Sequence, residues 1–92
     1  MMPARSPITG TRLLVRGFDK HTKERHLRSL FAKYGPVTNV KIRQSSWRNK
    51  YGYSGAVEML NDWKAEIAIV NLNGAYWRGR TIWVRPENRR GD

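Results

Sequence analysis

Between Ala65 and Val84 the hydrophobic period of the chain changes once, and that change narrows the folds open to it. Ala65, Ala68, Ile69 and Leu72 recur at helical spacing and share one face of a helix. Asn73-Gly74 stops that helix. Ala75-Tyr76-Trp77-Arg78 follows, and Gly79-Arg80 leads into Thr81-Ile82-Trp83-Val84, where Ile82 and Val84 face one way along a strand.

The same two periods alternate through the rest of the chain. Met1 to Gly10 holds Pro3, Pro7 and Gly10 with little periodicity and reads as a flexible tail. Thr11 to Phe18 is a first strand, with Leu13 and Val15 on one face. From Thr22 or Lys23 to Tyr34, the residues Leu27, Leu30, Phe31 and Tyr34 fall at i, i+3, i+4 and i+7. They form an amphipathic helix that Gly35-Pro36 ends. Val37 to Arg43 is a second strand, with Val40 and Ile42 inward and Asn39, Lys41 and Arg43 on the other face. A polar loop from Gln44 to Gly52 precedes a third strand, Tyr53 to Met59. Asn61 or Asp62 caps a second helix carrying Trp63 to Asn71, and Thr81 to Arg85 is the fourth strand. The order β-α-β-β-α-β predicts an α/β ferredoxin-like sandwich, a four-stranded antiparallel sheet backed by two helices.

Composition bounds the partners. The 92 residues allow one small domain with a modest core. Lysine and arginine number 18 against 7 acidic residues, a net charge of +11. Such a field attracts polyanions and speeds their association. Four tryptophans and four tyrosines accompany the charge, which favours nucleic acid over mere solubility. Cysteine is absent, so neither a disulfide nor a thiolate metal site forms. His21 and His26 have no metal-ligand partners at suitable spacing and read as surface residues, and no cofactor site is visible. No nucleophile, base and orienter set points to an enzyme. No apolar run approaches a membrane span. An intracellular domain, monomeric in isolation, is expected.

Residue by residue, the chain resembles the RNA recognition motif (RRM) family. Leu13-Leu14-Val15-Arg16-Gly17-Phe18 stands where the family's short RNP motif belongs. Leu27, Leu30-Phe31, Tyr34-Gly35, Val37, Val40 and Ile42 match its first helix and second strand, and Ala65 to Val84 match its end. The likeness covers residues 11–86, between a tail at 1–10 and a polar segment at 87–92. It implies single-stranded RNA as ligand and a nuclear setting in mRNA processing or export, with a protein partner in a ribonucleoprotein complex as a further expectation. Leu-Leu-Val in the first strand with Gly-Ala-Val in the third also resembles Aly/REF-type export adaptors. The family's peptide-binding variants carry an acidic first helix and Arg-x-Phe after the second. Here the first helix is basic and Ala75-Tyr76-Trp77 lacks that arginine, so this chain is not one of them.

The long RNP motif fits less well. Lys50-Tyr51-Gly52-Tyr53 offers one register, with both tyrosines as stacking aromatics. Spacing to Ala65 favours Gly52-Tyr53-Ser54-Gly55-Ala56-Val57-Glu58-Met59 instead. In that register the open side of the strand carries Ser54, Ala56 and Glu58, and the first strand offers Leu14, so three aromatic platforms of the family are replaced. Stacking on an aromatic is worth ~1–3 kcal/mol per base. The candidate contacts are therefore substitutes: Arg12, Leu14 and Arg16 of the first strand, Lys41 and Arg43 of the second, Trp83 and Arg85 of the fourth. Trp47, Arg48, Lys50 and Tyr51 in the loop are placed to close over RNA. Tyr53 shares parity with Val57 and Met59 and turns toward the core, with its hydroxyl reaching out to remain a candidate contact. Trp77 reads as a core residue, Trp63 as a helix staple or exposed edge, and Arg25, Arg28 and Lys33 as a solvated helix face. The alternative function is a sheet that docks protein around Leu14, with weak RNA binding. Glu58 either repels phosphate or accepts a base amino group.

Overall fold

Apolar and polar side chains alternate in three long stretches, and those stretches build the sheet. The computed structural model describes residues 10–44 and 53–87. Its strands are β1 (Thr11–Arg16), β2 (Val37–Gln44) and β3 (Tyr53–Met59), with helices α1 (Glu24–Ala32) and α2 (Asp62–Leu72). Three short strands follow: β4 (Tyr76–Trp77), β5 (Arg80–Thr81) and β6 (Trp83–Pro86). The main sheet has the order β2-β3-β1-β6, antiparallel at every pairing, and β4 and β5 pair separately as a hairpin. This is the ferredoxin-like sandwich, with both helices on one side of the sheet. The tail up to Thr9, the segment from Ser45 to Gly52 and the segment from Asn88 onward lie outside the described residues.

The two helices and the strands of the main sheet each contribute one face to a single core. Leu13 and Val15 of β1, Val57 and Met59 of β3, and Ile82 and Val84 near the chain's end are buried. They meet Leu27, Leu30 and Phe31 of α1 and Ala65, Ala68 and Leu72 of α2. Trp77 packs against this cluster, the core role expected of it. Small residues set how closely the layers approach. A Cβ at Gly55 would meet Cδ1 of Leu27 at 2.8 Å, so α1 rests on β3 where β3 has no side chain.

The ends of the helices follow local chemistry. Lys23 starts α1, and its backbone N–H donates to Nδ1 of His26 at 2.8 Å, which requires the unprotonated nitrogen. Burial, with the nearby cations Arg78, Arg25 and Lys23 adding to it, pushes His26 below its ordinary pKa. His26 is thus a half-buried helix-start residue rather than a plain surface one. Desolvation works against the charge of Asp19, yet hydrogen bonds from the Thr22 hydroxyl and the His21 N–H hold its carboxyl below the usual range. α1 ends at Ala32, short of Tyr34, because the Tyr34 N–H turns back to the Phe31 carbonyl ahead of Gly35-Pro36.

The expected fourth strand needs a correction. Thr81 belongs to the β4–β5 hairpin, and only Trp83–Pro86 joins the main sheet. The cause is a tight turn at Arg78-Gly79, where φ is 51° and 85°. Two consecutive positive φ values match the twist of a two-residue hairpin, which Trp77 and Arg80 close. Arg78 stays in place by standing over the Trp77 ring, 5.8 Å from its centroid, and by donating from Nε to the Thr22 hydroxyl.

Candidate nucleic-acid interface

The strand registers place the outward side chains of the sheet in rows. One row runs Asn39, Glu58, Arg12; the next runs Lys41, Ala56, Leu14, Arg85; the third runs Arg43, Ser54, Arg16, Trp83. Seven of the sequence-predicted contacts (Arg12, Leu14, Arg16, Lys41, Arg43, Trp83 and Arg85) therefore share one face. Tyr53 does not. It lies among Val57 and Met59 on the helix side, as its parity in the strand predicts, packs against the core and borders Lys20, Thr22 and Ile42. That parity also excludes the register in which Tyr53 would present a ring to the open side. Trp47, Arg48, Lys50 and Tyr51 lie outside the described residues.

Charge on this face is uneven. Arg12 stands between two carboxylates, 3.8 Å from Glu58 and 3.5 Å from Glu87. The Glu87 N–H also donates to the Arg12 carbonyl at 2.8 Å, which fixes the carboxylate beside the strand. Oε1 of Glu87 is closed off from solvent without a well-aligned hydrogen bond, so the Arg12 charge is its main compensation. Arg12 is a neutralised cation more than a free one. Arg16, Lys41, Arg43 and Arg85 are exposed and have no carboxylate partner among the described residues. They surround Leu14, which is half-buried.

Three grooves cross this surface and share walls. A central groove of about 310 Å³ runs over Leu14, Ser54 and Ala56 between Lys41, Arg43 and Arg12. A narrower one of about 260 Å³ joins Leu14 to Arg16, Trp83 and Arg85. The largest, about 720 Å³, continues from Arg16 and Trp83 to Tyr76, Arg80 and Thr81. Trp83 is 54% exposed, although both of its chain neighbours are anchored. The Ile82 N–H donates to Ala75 and its carbonyl accepts from Gly74, while the Val84 N–H donates to Oδ1 of Asn73. A Cβ at Gly74 would sit 3.6 Å from the Trp83 ring, so the indole lies over the bare Gly74 backbone.

Sequence reasoning alone passes over Glu87, Tyr76 and Arg80. Parity within a strand carries no signal for a carboxylate from the end of the chain, and Tyr76 lies on a hairpin with no Asn-Gly mark. Glycine supplies the remaining clue. Gly17 has φ 98°, and a Cβ there would collide with the Thr81 carbonyl, so Gly17 lets the hairpin close on the end of β1.

Comparison with known proteins matches this geometry to a lineage. The family model described as RNA recognition motif matches residues 13–83. A Nostoc protein named "Putative RNA-binding protein RbpD" is 34% identical over 73 residues, covering 74% of this chain and 78% of its own. The serine/arginine-rich splicing factor SR45a of Arabidopsis thaliana is 32% identical over 81 residues, 88% of this chain but 21% of that protein. Among solved structures, the RRM3 domain of Mip6 superposes with a TM-score of 0.77 at 23% identity, covering 84% of this chain and 93% of that one, a likeness of fold. With the motif matched from β1 to β6, the chain belongs to the RNA recognition motif family.

Proposed function

We propose that this domain binds single-stranded RNA across the open face of its sheet. Arg16, Lys41, Arg43 and Arg85 take the phosphates, and Trp83 stacks a base. The observation that carries this reading is the set of four cations without carboxylate partners among the described residues, arranged around Leu14 and flanked by an exposed indole. A flat basic face with one aromatic platform suits a flexible strand whose bases can splay out, and it suits a stiff duplex poorly. A role in mRNA processing or export within the nucleus is the finer part of the proposal. Its support is the splicing-factor name of one relative and the polyadenylate-binding name of another, RBP45A of Arabidopsis thaliana.

The protein-docking alternative finds less support on the sheet. Leu14 is the one large aliphatic side chain in the three outward rows, and Lys41 and Arg85 stand in its own row. The large exposed aliphatic side chains lie elsewhere. Ile67 and Val70 are on the outer side of α2 with Trp63, and Leu60 precedes them.

Fluorescence anisotropy with labelled single-stranded and duplex RNA of one sequence tests the proposal. Single-stranded RNA is expected to bind more tightly. Its affinity should fall with salt at a log–log slope of about −3, as four phosphates regain counterions at ~0.7 each. Equal affinity for both forms, or a slope near zero, would overturn it.

A further inference from the structure

The largest of these three grooves extends past the edge of the sheet. Its floor is the end of β1 at Arg16 and Gly17, one wall is Trp83 of β6, and the other is the β4–β5 hairpin with Tyr76, Arg80 and Thr81. Tyr76 is 76% exposed. Core packing does not explain an aromatic ring so open to water on a two-residue strand, since its neighbour Trp77 supplies the hairpin's contact with the core. Arg80 is held in place. Its Nε donates to the Gly17 carbonyl at 2.9 Å, and its other N–H groups have no partner among the described residues. The hairpin itself is fastened at its base by the Ile82–Ala75 and Gly74–Ile82 backbone bonds and at its turn by Arg78 on Thr22. Two exposed aromatics and two arginines thus border one groove on a braced support, and that groove shares Arg16 and Trp83 with the groove over the sheet.

We infer that Tyr76, Arg80, Thr81, Arg16 and Trp83 form an additional nucleotide site, which takes the base and phosphate of RNA leaving the sheet past β6. The inference rests on the single-stranded RNA reading and extends it. A base stacks on the Tyr76 ring, because any base has a π-face and the phenol offers one at low entropic cost. The Arg80 guanidinium, with Nε committed to Gly17, turns its remaining donors to the phosphate. The Thr81 hydroxyl donates to, or accepts from, the sugar or a base edge. The RNA path then runs from Lys41 and Arg43 over Leu14, past Trp83, and onto the hairpin.

A length series separates this site from the sheet. Fluorescein-labelled oligouridylates of three and nine nucleotides are titrated into wild type, Tyr76→Ala, Tyr76→Phe and Trp83→Ala. Thermal melts accompany each titration, and Tyr76→Ala should melt with wild type because the ring is solvent-exposed. Tyr76→Ala is expected to weaken the nine-mer by roughly 5- to 150-fold, the worth of one stacked base, and to leave the three-mer unchanged. Tyr76→Phe should bind both as wild type does. An unchanged nine-mer affinity in Tyr76→Ala, with Trp83→Ala still weakened, would overturn the hairpin site and leave the sheet reading standing. Equal weakening on both lengths would overturn it as well, since Tyr76 would then act on the sheet site. Absence of any wild-type binding to either oligonucleotide at low salt would remove the RNA reading, and the hairpin site with it.

Discussion

The centre of the open face and its β6 edge are built from opposite materials. At the centre, Ser54 and Ala56 of β3 face Leu14 of β1, small and aliphatic side chains in a shallow groove. At the edge, Trp83 stands beside Arg16 and, across the largest groove, Tyr76 and Arg80. Family resemblance places stacking aromatics at the centre; here the exposed rings lie at the border. The backbone supplies a reason the border can hold them. β3 is enclosed by β1 and β2 and pressed against α1, whereas β6 is an edge strand with a braced hairpin beside it. An aromatic at the border gains a second wall that the flat centre does not have. On this sheet, then, the exposed rings sit at the braced edge and the enclosed centre carries small side chains.

Removing the edge platform should produce the largest change. Trp83→Ala is expected to cost ~1–3 kcal/mol of RNA affinity, with little loss of stability, because the indole is more than half exposed. Leu14→Ala at the centre should cost well under Trp83→Ala, since an isobutyl group gives a base only a small apolar surface. Isothermal titration of both variants reads the contrast directly. If Leu14→Ala weakens binding more than Trp83→Ala, the centre carries the site and the comparison is inverted.

Next in size is a gain. Ala56→Phe would restore a ring at the centre, opposite Leu14 and Lys41, where the groove has room above a half-buried alanine. Tighter binding by about five- to tenfold is expected, the low end of the stacking range. The same variant should leave the fold intact, because position 56 points away from the buried set of Val57 and Met59. A melting temperature held at the wild-type value together with unchanged affinity would show that the RNA path avoids the centre altogether.

How much of this was legible in the chain depends on the range of the signal. Strand parity is a nearest-neighbour property. Leu13 and Val15 against Leu14 and Arg16, and Val57 and Met59 against Ala56 and Glu58, therefore emerge from the sequence with the correct faces, and β3 has the expected bounds. The hairpin is local too, yet its turn uses Arg78-Gly79, and arginine at a positive φ carries no compositional mark. Treating Thr81 to Arg85 as one strand hides Tyr76 and Arg80 from view as site residues. The pairing of Arg12 with Glu87 is a tertiary fact. No periodicity links the first strand to a residue at the end of the domain, so Arg12 looks like a free cation until the fold brings the carboxylate beside it.

Charge offers a smaller and more quantitative comparison. Arg85 and Arg12 lie on adjacent rows of the same face, one without a carboxylate partner among the described residues and one between two carboxylates. Arg85→Ala should weaken binding to all RNA sequences several-fold and flatten the salt slope by about 0.7, the share of a single phosphate. Arg12→Ala should leave the slope almost where it was, because its charge is already spent on Glu58 and Glu87. Salt titrations of the two variants at one temperature decide it. Equal flattening by both would mean that RNA displaces the carboxylates and takes Arg12 for itself.

The smallest effect is expected from Glu58→Gln, and it settles which role the carboxylate has. Glu58 is partly exposed, 3.8 Å from Arg12, and in the row whose Arg12 and Asn39 border the central groove. As a charge it repels phosphate and occupies part of the Arg12 guanidinium. Exposed pairs of this kind are worth at most about 1 kcal/mol. Removing the charge with an isosteric amide should raise affinity about two- to threefold for every sequence and steepen the salt slope slightly as Arg12 becomes available. As an acceptor, however, the carboxylate would take a hydrogen bond from an exocyclic amino group of adenine or cytosine. Glutamine would then lower affinity for oligoadenylate or oligocytidylate and leave oligouridylate unaffected. Binding of the three homopolymers to wild type and Glu58→Gln therefore separates the two roles by sign. A uniform gain makes Glu58 a brake on a basic surface, and a loss confined to amino-bearing bases makes it the selective element of a centre otherwise without aromatic grip.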